Sequence, residues 1–140
     1  MADPAVRTAA LLFFYGYVAT LVAAGVFGFL FARLDLHWFI GVDFNAIDDR
    51  TAANLGSQYR FLRAIEAGFG VFVLLHRRQI FSQAFYARLF LLAMGAGIAA
   101  RIVGLVADGS PSRAMYFFLA YELVGIALIG AATRAAFRPA

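Results

Sequence analysis

The sequence predicts an all-α protein, a four-transmembrane-helix antiparallel bundle. Three observations carry this reading. The chain has 140 residues, of which 64 % are apolar and 14 % charged, whereas soluble domains hold about a half and about a quarter. The apolar residues gather into four stretches separated by polar connections. None of the stretches alternates apolar and polar residues as a barrel strand does. A soluble fold of this size has too little interior for so much apolar surface. A bilayer removes that limit.

The four helices are expected at about 8–32, 50–75, 83–107 and 112–134, within one integral membrane domain over 1–140. The first apolar run, Thr8–Ala32, carries no charge. At ~1.5 Å rise per residue it exceeds a core of about 30 Å and crosses with some tilt. It is too long for the apolar region of a signal peptide, so it is read as a retained helix. The second run, Tyr59–Leu75, is charged at its start. "DDR" at 48–50 predicts an earlier helix start, because acids favour the first turn. The third run, Leu89–Ala107, contains Arg101, and the fourth, Met115–Ala132, contains Glu122.

The connections differ in kind. "DGSPS" at 108–112 predicts a tight hairpin: Gly109 ends one helix, Ser110 caps the next and Pro111 suits its first turn. "HRRQIFSQAF" is short and basic. The first connection, 33–57, mixes aromatics with acids and is expected to form an ordered cap at the membrane surface, with Trp38 and Phe39 at the interface. Arginine placement sets orientation. Arg7, Arg77, Arg78, Arg88, Arg134 and Arg138 share the side of both termini, against Arg33, Arg50, Arg60 and Arg113 opposite. Both termini are therefore expected in the cytoplasm, with the helices crossing the inner (plasma) membrane.

The chain has no cysteine, which excludes disulfides, thiolate metal sites and dithiol chemistry. All twelve basic residues are arginines, and the formal charge is +4. They form no long run, so no nucleic-acid partner is expected. His37 and His76 fall on opposite membrane sides and cannot clamp a haem together. No metal motif, nucleotide loop or Ser-His-Asp order occurs. Asp43, Asp48 and Asp49 lack calcium-loop spacing. No cofactor and no metal is expected.

What the sequence singles out is a set of charges inside the apolar runs. Glu66, Arg101 and Glu122 each lie six or seven residues from the outer end of their run. At 1.5 Å per residue that is roughly 9–11 Å deep in all three. Arg63 stands at i, i+3 to Glu66 and shares its helix face. Arg63, Glu66, Arg101 and Glu122 are net neutral, and a charge in hydrocarbon needs a partner or a function. The sequence therefore predicts an intramembrane ion cluster, with Arg60 snorkelling outward. Gly97 and Gly104 beside Arg101, Gly125 beside Glu122, and Gly70 beside Glu66 allow close backbones or leave space. Such a cluster either locks helices together or lines a pocket for a ligand, and the two roles are compatible.

The phrases "QYRFLRAIEAGFGVFVLLHRRQIF" (58–81), "MGAGIAARIVGLVADGSPS" (94–112) and "MYFFLAYELVGIALI" (115–129) resemble a family of small bacterial four-helix membrane proteins of unassigned function, distantly similar to the DoxX-like group. The recurring elements fall on Arg63 and Glu66, on Arg101, Asp108, Gly109, Pro111 and Ser112, and on Tyr121, Glu122 and Leu123. The resemblance implies the fold and no activity. The function expected is non-enzymatic: an accessory subunit, or a binder of a lipid-like or small ligand at the Glu/Arg cluster. The expected partners are membrane lipid and a membrane protein or further copies of the chain. The alternative is a small membrane enzyme or proton-coupled carrier using Glu66 and Glu122.

Overall fold

The computed structural model describes residues 3–137. Every regular element among them is helical. The helices are α1 (Pro4–Leu30), α2 (Ala32–Asp35), a π-helical turn (Leu36–Ile40), α3 (Asp49–Leu75), α4 (Arg77–Ser82), α5 (Ala84–Ala107), α6 (Arg113–Thr133) and a 3-10 turn (Arg134–Phe137). The four long helices occupy the four apolar stretches. The two short α-helices lie in connections, because Phe31 and His76 leave helical geometry and interrupt the path.

Among the described residues, three helices, α1, α5 and α6, are long and apolar enough to cross a membrane. Large apolar side chains face outward along them: Leu12 on α1, Leu92, Val103 and Val106 on α5, Phe117 and Leu123 on α6. Exposed apolar surface on that scale fits a lipid solvent rather than water. The equally long α3 misses this criterion, because its first half carries polar and charged residues.

The chain resolves into two compact units, Tyr17–Phe72 and the segments on either side of it. In the central unit, α1 and α3 meet on small residues. A Cβ at Gly25 would lie 2.7 Å from the Ala67 nitrogen and 2.8 Å from the Arg63 carbonyl oxygen. A Cβ at Gly70 would lie 2.8 Å from Val22. Glycine at both points lets the backbones approach.

After Phe31 the chain follows α2 and the π turn, which ends at Gly41 with φ 81°. Ala32, Asp35 and Leu36 share the buried face at helical spacing, while Leu34, Trp38, Phe39 and Ile40 are exposed. The loop is ordered by its own bonds. Val42 N–H donates to the Leu36 carbonyl (3.2 Å), and Asn45 N–H donates to the Asp43 carboxylate (2.9 Å). Val42, Phe44 and Leu55 pack around Ala32, Leu36 and Tyr59. Asp48 caps α3, accepting from the Thr51 N–H (3.0 Å) and hydroxyl (2.6 Å). Those bonds, the hydroxyl's first, hold the Asp48 carboxyl below its ordinary value of 3.8.

In the other unit, the buried Phe14 meets the rings of Phe81 and Phe90 at 5.5 and 5.6 Å. α5 and α6 form an antiparallel hairpin. Gly109 supplies its turn at φ 90°, a conformation costly to other residues. The cap position of α6 falls on Ser112, in extended geometry and without a side-chain bond, two residues beyond the Ser110 expected from the sequence. α6 buries Glu122, Gly125, Ile129, Ala132 and Thr133 along one face. Phe13 and Met94 close over Gly125.

Candidate functional site

The four residues singled out by sequence form ion pairs, and each pair lies within one unit. In the flanking unit, Arg101 on α5 faces Glu122 on α6. Nε donates to Glu122 Oε2 (2.8 Å) and a terminal nitrogen donates to Oε1 (3.0 Å). This two-point geometry is the strong form of the guanidinium–carboxylate pair. The other terminal nitrogen meets Met115 Sδ at 3.6 Å. The guanidinium also lies over the Phe118 ring, 5.6 Å from its centroid. Glu122 is buried, but the Arg101 side chain keeps 31 % of its surface.

That surface opens on a cavity of about 300 Å³ below the α5–α6 turn. Arg101 and Asp108 provide its charges. Leu105, Met115 and Leu119 provide apolar wall, and Tyr116 adds a phenol. Gly104 leaves the space open on the α5 side, since a Cβ there would touch only the Asp108 carboxylate, at 3.8 Å. Gly97 has no packing role among the described residues: a Cβ there would meet nothing.

In the central unit, Arg63 and Glu66 pair at 2.6 Å. Sequence reasoning missed the two residues that complete this network. Asp35, on α2, is 1 % exposed, accepts from the Tyr59 hydroxyl (2.8 Å) and forms an ion pair with Arg63 (2.9 Å). Arg63 also donates to the Tyr59 oxygen from Nε (3.0 Å) and from a terminal nitrogen (2.7 Å). A Cβ at Gly28 would collide with the Asp35 carboxylate and the Arg63 side chain. The available signal was helical spacing: Asp35 falls on the face of Ala32 and Leu36, where a lone acid requires a partner. In the sequence Asp35 falls within the first connection, 33–57, where an acid suits a membrane-surface cap and signals no buried partner.

The two arrangements have different chemistry. The Asp35–Tyr59–Arg63 network is closed, with the Asp35 side chain 2 % exposed. It ties α2 to α3. The Arg101–Glu122 pair is open on one side, to a cavity with apolar walls. Both histidines are accounted for locally: His76 stacks on Tyr86 and His37 Nδ1 lies 3.2 Å from the Val42 carbonyl oxygen. No cluster of metal-ligating residues occurs among the described residues.

The family model described as a domain of unknown function (DUF4345) matches residues 10–133. The chain belongs to that family. The match covers α1 from residue 10 onward, the whole of α3, α5 and α6, and both ion-pair sets. No curated protein and no solved structure matches the chain.

Proposed function

We propose that this DUF4345 protein is a non-enzymatic membrane protein that binds a lipid-like amphiphile in the Arg101 cavity. The observation that carries the reading is the part-exposed guanidinium at the base of an apolar-walled cavity. A binding pocket combines apolar walls with a few placed polar groups, and this one has that composition. The ion pair does not oppose this role. Glu122 occupies one edge of the guanidinium, and further N–H directions remain for an anionic or hydroxyl oxygen.

The same pairing speaks against the enzyme or carrier alternative. A proton donor or acceptor needs a carboxyl free to change state. Glu122 is held by Arg101 at two points and Glu66 by Arg63 at one, so each carboxylate is already engaged by a guanidinium.

On this reading the protein lies in the bacterial inner membrane as one domain with four crossings, both termini cytoplasmic. The arginine distribution supports this orientation. α3 serves as the fourth crossing, its charges Arg63 and Glu66 neutralised by each other and by Asp35. The likeness to DoxX-like proteins rests on the quoted phrases and adds no activity.

Gentle purification of the wild type from its own membranes, followed by mass spectrometry, tests the proposal. A stoichiometric amphiphile that survives detergent exchange is the expected result. A stoichiometric protein partner without a bound amphiphile would replace it with the accessory-subunit reading. Neither would sink both.

A further inference from the structure

We infer that the ligand of the Arg101 cavity carries both charges, an ammonium and a phosphate, as the headgroup of an aminophospholipid does. The inference rests on the binding reading above and deepens it. Its starting point is the charge balance. The charge of Arg101 is already matched by Glu122 at two points. Asp108, at the other end of the cavity, takes part in no ion pair among the described residues. Arg113, the remaining charge of the turn, does not line the cavity. With Glu122 counted, the pocket is one negative charge in excess, so a simple anion is a poor fit. A simple cation would leave the donors of Arg101 unused.

The geometry puts both charges on one cavity. Arg101 and Gly104 lie on α5 at i and i+3, and Asp108 is the residue that ends the helix. The Asp108 carboxylate stands beside Gly104, 3.8 Å from where a Cβ there would lie, and makes no ion pair with Arg101 among the described residues. One headgroup with adjacent phosphate and ammonium can meet both side chains. Phosphate accepts from the remaining N–H groups of Arg101, a pairing for which the guanidinium is well shaped. Ammonium donates to Asp108 near the water boundary. The acyl chains leave between Leu105 and Leu119 towards lipid. A free amino-phosphate offers the same two charges without chains, so the source of the headgroup is separable by experiment.

The test uses the full-length protein in nanodiscs containing equal phosphatidylethanolamine and phosphatidylglycerol, released into detergent and read by native mass spectrometry. Wild type should retain phosphatidylethanolamine over phosphatidylglycerol by about tenfold, equivalent to about 1.4 kcal/mol. Asp108→Asn should keep a bound lipid and lose the preference. Soluble glycerophosphoethanolamine should displace the lipid only at far higher concentration. Equal displacement by the soluble compound would assign the site to a free amino-phosphate. Preference for phosphatidylglycerol, or an unchanged preference in Asp108→Asn, overturns the inference while leaving the pocket reading intact. Equal lipid retention in Gly104→Phe, whose ring takes up part of the cavity between Arg101 and Asp108, refutes the pocket itself.

Discussion

Removing Arg63 should unlatch the segment that follows the first helix. The guanidinium is the only cation paired with Asp35 among the described residues, at 2.9 Å, and the Asp35 side chain is 2 % exposed. Without it the buried carboxylate keeps one bond, from the Tyr59 hydroxyl. Breaking a buried pair by removing one partner costs about 3–5 kcal/mol, because the other charge is left uncompensated. Arg63→Leu should therefore destabilise by about that amount. Asp35→Leu should cost less, about 1–3 kcal/mol, because Arg63 retains Glu66 and the Tyr59 oxygen. Glu66→Gln should cost least, its side chain being 25 % exposed. The double change Arg63→Leu with Asp35→Leu should recover part of the sum, since no charge is then left buried. Thermal unfolding in detergent, followed by circular dichroism, measures all four proteins. If Arg63→Leu melts like Glu66→Gln, or the two leucine changes add strictly, the Asp35 clasp does not hold the fold.

Other outcomes follow from the same geometry. Arg101→Leu and Glu122→Leu should each destabilise, with a coupling of about 1–3 kcal/mol in a double-mutant cycle; strict additivity would mean the two-point pair contributes nothing. Gly125→Ala forces a Cβ into the Phe13 ring and Met94 and should cost about 1–3 kcal/mol by overpacking, read by the same melts. The Asp48 carboxyl is depressed below 3.8 in the fold. Its contribution is present above that value and lost as pH falls through the lower folded one. Asp48→Asn should remove that acid limb from the melting profile, and an unchanged profile would contradict the cap. Cysteines at Ser110 and Arg78, both exposed, should label from opposite sides of sealed membranes, Ser110 from outside; labelling from one side would sink the four-crossing topology.

The all-helical character was legible because apolar run length and polarity determine it with little help from packing. The start of α3 was legible too, since "DDR" followed by Thr51 carries its own cap. The pairing partners of Arg63 and Arg101 divide in an instructive way. Glu66 is local and could be read from i, i+3 spacing. Glu122 could be read from depth, because a short turn between antiparallel helices fixes which positions face each other. Asp35 could not be found by either rule. It precedes a loop, and its partner lies across a π turn whose register no simple period describes. The same holds for Ser112 as the cap of α6: Ser110 and Ser112 are equivalent in composition, and the left-handed turn at Gly109 decides between them. The cavity was invisible in sequence. Gly97 and Gly104 looked alike beside Arg101, yet only Gly104 faces the space under the hairpin.

If the Arg101 cavity holds an amphiphile, occluding the cavity should expel it. Gly104→Phe leaves the Arg101–Glu122 pair in place and removes a helix-interior glycine, which favours the helix. Wild type and variant are purified side by side from the same membranes, with matched melting checked first. Native mass spectrometry then counts retained lipid. One retained amphiphile per chain is expected in the wild type and none in Gly104→Phe. Equal retention in the two proteins would contradict that expectation.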